Sequence, residues 1–349
     1  VMPLAAAALV LGVSELKPGS LGPVASRALG LTVALTATGV AIGVGLTKLV
    51  QPGRGVDRAA LPAGEAVAPI TTSPVDTFVQ MVPDNLFAAA AKGELLGVLL
   101  VALLVGLALR RTETEAAARF REALQGLFDV LVAGVHMVMR LAPVGVAGLV
   151  CVLVAKTGLA GLAPLGRFVG VVVGAILLQA LVVYPIALAL VARRSPVAFY
   201  RAVEPALAMA FSTASSAATL PTTLRVAETE LKLHPELARF VITVGASANQ
   251  NGTALFEGVA VLFLAQLYGV DLSLAQQGFV VLVAVAAGVG TAGVPGASMP
   301  VIAALAGALG VPPESVGVLV GVDRFLDMCR TTLNVAGDLV IAACVDARE

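Results

Sequence analysis

Little in this chain could hold a transition metal or bind a polyanion. The two histidines, His136 and His234, lie far apart, and the three cysteines, Cys151, Cys329 and Cys344, are an odd number without metal-ligand spacing. They read as small packing residues in apolar surroundings. Charged residues make up only 13% of the chain and cancel to a net charge of zero. No basic run interleaves with aromatics, so nucleic-acid binding is set aside. No cleavable signal peptide is evident. What fills the chain is hydrophobic: 58% of its residues, with a mean hydropathy of +0.97. That lies outside the range of soluble domains and predicts an integral, multi-pass membrane protein whose solvent is the lipid bilayer.

A membrane-crossing helix needs about 20 apolar residues. Candidate segments lie near 29–50, 95–109, 124–153, 166–192, 240–268 and 316–345, with a truncated one before Leu16. The chain opens on Val1-Met2-Pro3-Leu4, already inside an apolar run, and is expected to lack its true amino terminus with one or more helices. Two further hydrophobic stretches, 202–226 and 276–308, are interrupted at their middles by Ser212-Thr213-Ala214-Ser215-Ser216 and by Gly290-Thr291-Ala292-Gly293-Val294-Pro295-Gly296. At membrane depth such a break is tolerated only where it is buried in protein or lines a watery cavity. Both stretches therefore read as re-entrant hairpins.

The hairpins are related. Pro221 lies 32 residues before Thr253, within the polar break Asn249-Gln250-Asn251-Gly252-Thr253, and Pro295 lies 32 residues before Asp327. Each half is a hairpin, a loop and a helix interrupted by polar residues, the pattern that marks a binding site in transporters built from inverted repeats. Arginines and lysines at 110–121, 193–201 and 225–239, against none at 268–276 and 308–315, predict that the first hairpin enters from the cytoplasm and the second from outside. Lys48, Arg54 and Arg58 run against that rule.

The last segment carries the densest chemistry. Asp323, Asp327, Arg330 or Thr331, Asn334 and Asp338 recur every three or four residues, so they form one polar stripe on a helix whose other face is apolar. An ionisable side chain at the centre of a membrane helix costs about 2.5–3.5 kcal/mol on insertion scales, so these groups need partners or a ligand. Arg330 is a planar, permanently charged fork suited to a carboxylate, and Asp327, one turn earlier, can accept an ammonium group. The alternative is a buried ion pair that satisfies itself.

Four ordered blocks, Ser215-Ser216-Ala217-Ala218-Thr219-Leu220-Pro221, Asn249-Gln250-Asn251-Gly252-Thr253, Gly290-Thr291-Ala292-Gly293-Val294-Pro295-Gly296 and Asp327-Met328-Cys329-Arg330-Thr331-Thr332-Leu333-Asn334-Val335-Ala336-Gly337-Asp338, resemble the dicarboxylate/amino acid:cation symporters that include the glutamate transporters. The resemblance covers essentially the whole chain, which on this alignment starts within the second scaffold helix. It implies an all-α membrane fold with inverted repeats, two re-entrant hairpins and broken helices. The division would be a partial scaffold helix (1–28), a transport-domain helix (29–50), an outer loop (51–76), scaffold helices (77–153) and a transport domain (154–349). It further implies a homotrimer in the cell's inner membrane, an elevator motion and uptake of acidic amino acids with Na+ and no organic cofactor. The implied substrate residues are Ser215, Ser216, Thr253, Val294, Gly296, Asp327, Arg330, Thr331 and Asn334. The implied cation residues are Gly245, Ser247, Asn249, Asn334 and Asp338 at one site and Gly288, Val289 and Thr291 at another.

The departures bear on coupling. The family's aspartate for a third sodium is Asn251 here, and the supporting positions are Thr32, Leu35 and Thr36, so two sodium ions or fewer are expected. The arginine that prokaryotic members carry at the first hairpin tip is Ala214, and Arg324 is a candidate to compensate. Glu257 stands where proton-coupled members carry a glutamate. A carboxyl buried in apolar surroundings favours its neutral form and can carry a proton; the alternative is a structural partner of Arg330. Among other classes, an intramembrane aspartyl protease would need a second aspartate after a tyrosine, but Tyr184, Tyr200 and Tyr268 are followed by Pro, Arg and Gly. A channel would need a repeated filter motif that is absent. A C4-dicarboxylate carrier is the nearest competitor, although it would have no use for an ammonium acceptor at Asp327.

Overall fold

In a computed structural model, the described residues are 22–55, 85–92, 95–139, 162–290 and 298–347, with single helical positions at 3, 6, 7, 10, 11 and 14. Every regular element among them is a helix. In chain order these are α1 (Gly22–Val50), α2 (Leu86–Lys92), α3 (Leu95–Arg111), α4 (Glu115–Met139), α5 (Leu162–Leu178), a π turn (Gln179–Val183), α6 (Tyr184–Leu190), α7 (Pro196–Thr213), α8 (Ser216–Thr229), α9 (Pro235–Ala248), α10 (Asn251–Tyr268), α11 (Leu274–Gly290), α12 (Ser298–Ala308), a 3-10 turn (Pro313–Val318) and α13 (Val320–Asp346). The outer loop beyond Gly55, residues 140–161 and the second hairpin tip, 291–297, lie outside the described residues.

The core is built on two helices. α10 is buried from Asn251 to Ala265, and α13 is buried from Leu333 to Val345. Both are apolar on every side apart from their functional groups, as fits helices wrapped by others. α1 packs along α10, and α5 packs against both core helices. By length and composition three helices among the described residues, Val24–Val50, Ala163–Leu190 and Val320–Asp346, can cross a membrane. The first two leave Leu29, Val33, Leu177, Leu181, Ile186 and Leu190 exposed, an apolar surface that a bilayer would cover.

The first interrupted stretch does fold back on itself. α7 begins with Ser195 as N-cap and Pro196 in the first turn, and it ends at Ala214, which takes the left-handed conformation at φ 49°. Ser215 is extended, and its Oγ accepts the Ala218 N–H at 3.2 Å to cap α8. The second stretch is the pair α11 and α12. The helix expected at 240–268 is two helices, α9 and α10, interrupted at Asn249-Gln250 as the polar break predicts.

Several boundaries differ from expectation for identifiable reasons. α1 starts at Gly22 rather than 29, because Pro23 suits a first turn, and α4 starts at Glu115 rather than 124, because Glu115-Ala116-Ala117-Ala118-Arg119 favours helix without being apolar. The last helix starts at Val320 rather than 316, since the Pro313–Val318 turn precedes it. The helix expected at 166–192 widens into a π turn just before Pro185, whose missing N–H would leave an α-helical carbonyl unpaired.

Close approach of α1 and α10 depends on Gly43, where an added Cβ would lie 2.7 Å from Val259 Cγ2. At Gly45, two positions on, it would meet nothing within 4 Å. Gly43→Leu is expected to destabilise the fold by about 1–3 kcal/mol through overpacking, while Gly45→Leu stays near wild type; thermal melting in detergent compares them, and equal melting points would refute this packing.

Candidate functional site

The break between α9 and α10 faces the polar stripe of α13, and hydrogen bonds stitch the two together. Asn334 Oδ1 accepts the Gly252 N–H at 2.7 Å, while its Nδ2 donates to Gln250 Oε1 at 2.6 Å and to Thr253 Oγ1 at 3.3 Å. The first of these serves a backbone N–H that an interrupted helix leaves unpaired, and the other two tie the side chains of the break to α13. The Gln250 N–H goes instead to the carbonyl of Gly288 at 3.1 Å, bringing the end of α11 to the same place. Gly252 permits the approach, since a Cβ there would lie 2.6 Å from the Arg330 carbonyl oxygen.

Arg330 is 1% exposed. Its Nη2 donates to Asp327 Oδ1 at 2.8 Å and to Asp323 Oδ1 at 2.9 Å, its Nη1 donates to Ser298 Oγ at 3.0 Å, and its guanidinium carbon sits 4.0 Å from the centre of the Phe256 ring. Among the described residues, Arg330 Nε and Asp327 Oδ2 have no hydrogen-bond partner. Ser216 Oγ, at the first hairpin tip, is likewise buried without a partner. Thr331, next to Arg330 in sequence, and Thr253, on α10, are buried as well.

Asp338 lies one turn beyond Asn334. Its Oδ1 accepts from Asn249 Nδ2 at 2.7 Å, and Asn249 Oδ1 is left buried and unpartnered among the described residues. A Cβ at position 245 would lie 2.9 Å from Asp338 Cγ, so Gly245 is what lets the carboxylate reach α9. Asp338, Asn249, Asn334 and Gly245 are thereby gathered on facing helices. Of the other expected cation residues, Gly288 is at the break, the side chains of Ser247 and Val289 lie outside the described residues, and so does Thr291. The substrate residues Val294 and Gly296 lie outside them too.

Asn251 occupies a neutral chain of hydrogen bonds. The Thr36 hydroxyl donates to Asn251 Oδ1, Asn251 Nδ2 donates to the Tyr184 hydroxyl at 3.0 Å, and that hydroxyl donates to the Leu333 carbonyl at 3.3 Å. Further along α10, Glu257 is fully buried, and neither of its carboxyl oxygens has a hydrogen-bond partner among the described residues. It is not bonded to Arg330, which gives its hydrogens to Asp323, Asp327 and Ser298.

The model of the sodium:dicarboxylate symporter family matches residues 1–348. The chain belongs to this family. The chain is 36% identical to the proton/glutamate-aspartate symporter of Escherichia coli over 98% of its own length and 81% of the relative's. It is 32% identical to the proton/sodium-glutamate symport protein of Bacillus subtilis, over 100% and 82%. It is 27% identical to the excitatory amino acid transporter 1 of Ambystoma tigrinum, over 99% and 74%. These relatives are transporters, not enzymes, and a symporter family places the chain in a membrane.

Sequence reasoning did not single out Ser298, Phe256, Gln250 or Tyr184 for the symporter site, and it left Asp323 in the stripe without a role. Asp323 had a signal, its helical spacing to Asp327 and Arg330. The others come from helices whose register against α13 no periodicity encodes. Tyr184→Phe would leave Asn251 Nδ2 buried without its acceptor, and stability is expected to fall by about 1–3 kcal/mol. Melting of the purified variant in detergent reads this, and wild-type stability would mean that the chain of hydrogen bonds contributes nothing.

Proposed function

We propose that this symporter imports acidic amino acids, aspartate or glutamate, together with Na+ and H+. The observation that carries the substrate class is the buried Arg330–Asp327 pair, in which the carboxylate keeps one oxygen, Oδ2, unpartnered among the described residues. That oxygen suits an ammonium group, and the guanidinium suits a side-chain carboxylate. Ser216 Oγ, unpartnered among the described residues, is the donor assigned to the α-carboxylate, to be met from the second hairpin by Val294 and Gly296. Ser215, Thr253, Thr331 and Asn334 are assigned to the same site; the Asn334 side chain is already engaged, so its part is to hold the break. A C4-dicarboxylate has no ammonium group and would leave Asp327 Oδ2 unserved. The names of the bacterial relatives, glutamate and aspartate symporters coupled to protons or to protons and sodium, agree with this choice.

Asp338, with Asn249 Oδ1 and backbone carbonyls near Gly245, Ser247 and Asn334, offers the oxygens that a hard cation needs. Gly288, Val289 and Thr291 would supply a second site. A third is disfavoured: Asn251 carries no charge, its amide is bonded at both ends, and Leu35 offers no side-chain oxygen. Glu257 is the proton carrier in this reading. A bare carboxylate with no donor in a buried position is costly, whereas a protonated one carries no net charge. As a member of its family the protein is read as a homotrimer of the cell's inner membrane. Its 154–349 unit moves as an elevator with the 29–50 helix, and the two hairpins close over the substrate.

The substrate assignment is tested by Arg330→Cys in proteoliposomes. Removing one partner of a buried charge pair costs about 2–5 kcal/mol, which corresponds to at least about a thirtyfold loss of aspartate affinity. Uptake of small neutral amino acids should survive or increase, and unchanged aspartate uptake would defeat the assignment. Proton coupling is tested with sodium equal on both sides. An inward proton gradient is expected to drive aspartate accumulation, and Glu257→Gln should abolish that drive while exchange continues. Accumulation in wild type that ignores the proton gradient would make Glu257 a structural residue.

A further inference from the structure

Asp323 is bound to the one nitrogen that a carboxylate ligand must use. A guanidinium presents two edges on which a carboxylate can be gripped in two places, Nη1/Nη2 and Nε/Nη2, and Nη2 belongs to both. Here the hydrogens of Nη2 go to Asp323 Oδ1 at 2.9 Å and Asp327 Oδ1 at 2.8 Å, while among the described residues Nε is unpartnered and Nη1 has only the neutral Ser298 hydroxyl. A substrate carboxylate can therefore dock bidentately only if one of the two aspartates lets go of Nη2.

The two aspartates are not equivalent. Asp327 is one turn from Arg330, and its second oxygen is available to an ammonium group without breaking the bond that the first one makes. Asp323 is seven residues from Arg330 and sits in the first turn of α13. There the positive end of the helix stabilises a released carboxylate. Its side chain is 10% exposed, about as much as that of Asp327 at 11%, so place in the helix and not exposure sets the two apart. Asp323 is thus the group that can leave at low cost.

We propose that Asp323 is the protein's own competitor for the substrate carboxylate, an affinity- and selectivity-setting residue that holds Nη2 until an acidic side chain takes its place. This rests on the reading that Arg330 grips the substrate. Without an acidic ligand, Arg330 stays paired, so a small neutral amino acid can enter without stranding a buried cation. With one, the bond to Asp323 is exchanged for the bond to substrate, and net affinity is lower than the new contact alone would give. A residue that merely positioned Arg330 would have the opposite effect when neutralised.

The experiment measures Kd for L-aspartate and for L-serine in the full chain, purified with saturating sodium, for wild type, Asp323→Asn, Asp323→Glu and Arg330→Cys. Loss of one competing charge-assisted bond is expected to lower the aspartate Kd by about three- to tenfold in Asp323→Asn. The serine-to-aspartate Kd ratio should rise, and Asp323→Glu should return both toward wild type. An aspartate Kd that rises or does not change in a folded Asp323→Asn overturns the proposal. Should that variant not fold, Asp323→Ser replaces it: the same fall in aspartate Kd is expected, and a rise or no change there overturns the proposal equally. If Arg330→Cys keeps full aspartate affinity, it is the substrate reading that fails; if it loses affinity while Asp323→Asn does not gain, the exchange alone fails.

Discussion

The burial of one guanidinium organises the centre of this protein. Among the described residues Arg330 is the largest fully buried side chain, and a permanent charge removed from water is tolerated only with partners in place. Those partners come from three helices: Asp323 and Asp327 on α13 itself, Ser298 at the start of α12, and the face of Phe256 on α10. Satisfying one side chain therefore fixes the second hairpin and α10 against the last helix. A cation over an aromatic face adds about 0.5–2 kcal/mol, and it defines which side of α10 looks at the site.

The interrupted helix solves a second problem. Ending α9 at Ala248 and restarting at Asn251 leaves backbone groups unpaired in a buried place, and α13 and α11 satisfy them through Asn334 and the Gly288 carbonyl. The break is thus held open by its neighbours, with polar atoms directed inward rather than consumed by the helix. Asn249 Oδ1 and Ser216 Oγ remain buried without partners among the described residues, and in a well-packed interior such groups call for a ligand.

Much of this was legible because it follows from local chemistry. The Ser-Thr-Ala-Ser-Ser run at 212–216 could not continue a helix unbroken at membrane depth, and it became a left-handed Ala214 followed by a capping Ser215. The polar stripe of α13 followed from helical spacing alone. Hydropathy was blind to polar or capped helix starts, so α1 and α4 begin earlier than their apolar cores. It was equally blind to partners from distant segments: nothing in the order of residues indicates that Tyr184, after a π turn, reaches Asn251, or that Arg330 meets Ser298 rather than Glu257.

The buried charges also give a physical reason for coupling to cations. Among the described residues, the buried charged side chains are the carboxyls of Glu257, Asp323, Asp327 and Asp338 and the guanidinium of Arg330. Fully ionised, that set is already negative, and an acidic amino acid adds a further net negative charge. Even at an effective dielectric of about 20, two like charges 4 Å apart repel by about 4 kcal/mol, so uncompensated loading of such an interior is unfavourable. Cations must enter with the substrate. In the proposed reading, a sodium ion beside Asp338 and a proton on Glu257 would each cancel one negative charge, at groups that have few or no hydrogen-bond donors of their own among the described residues. The neutral Thr36–Asn251–Tyr184 chain fits the same balance: where the resemblance puts an aspartate for a third sodium, this chain has an amide bonded at both ends, and in the proposed reading the charge to be compensated would sit instead on Glu257, farther along the same helix.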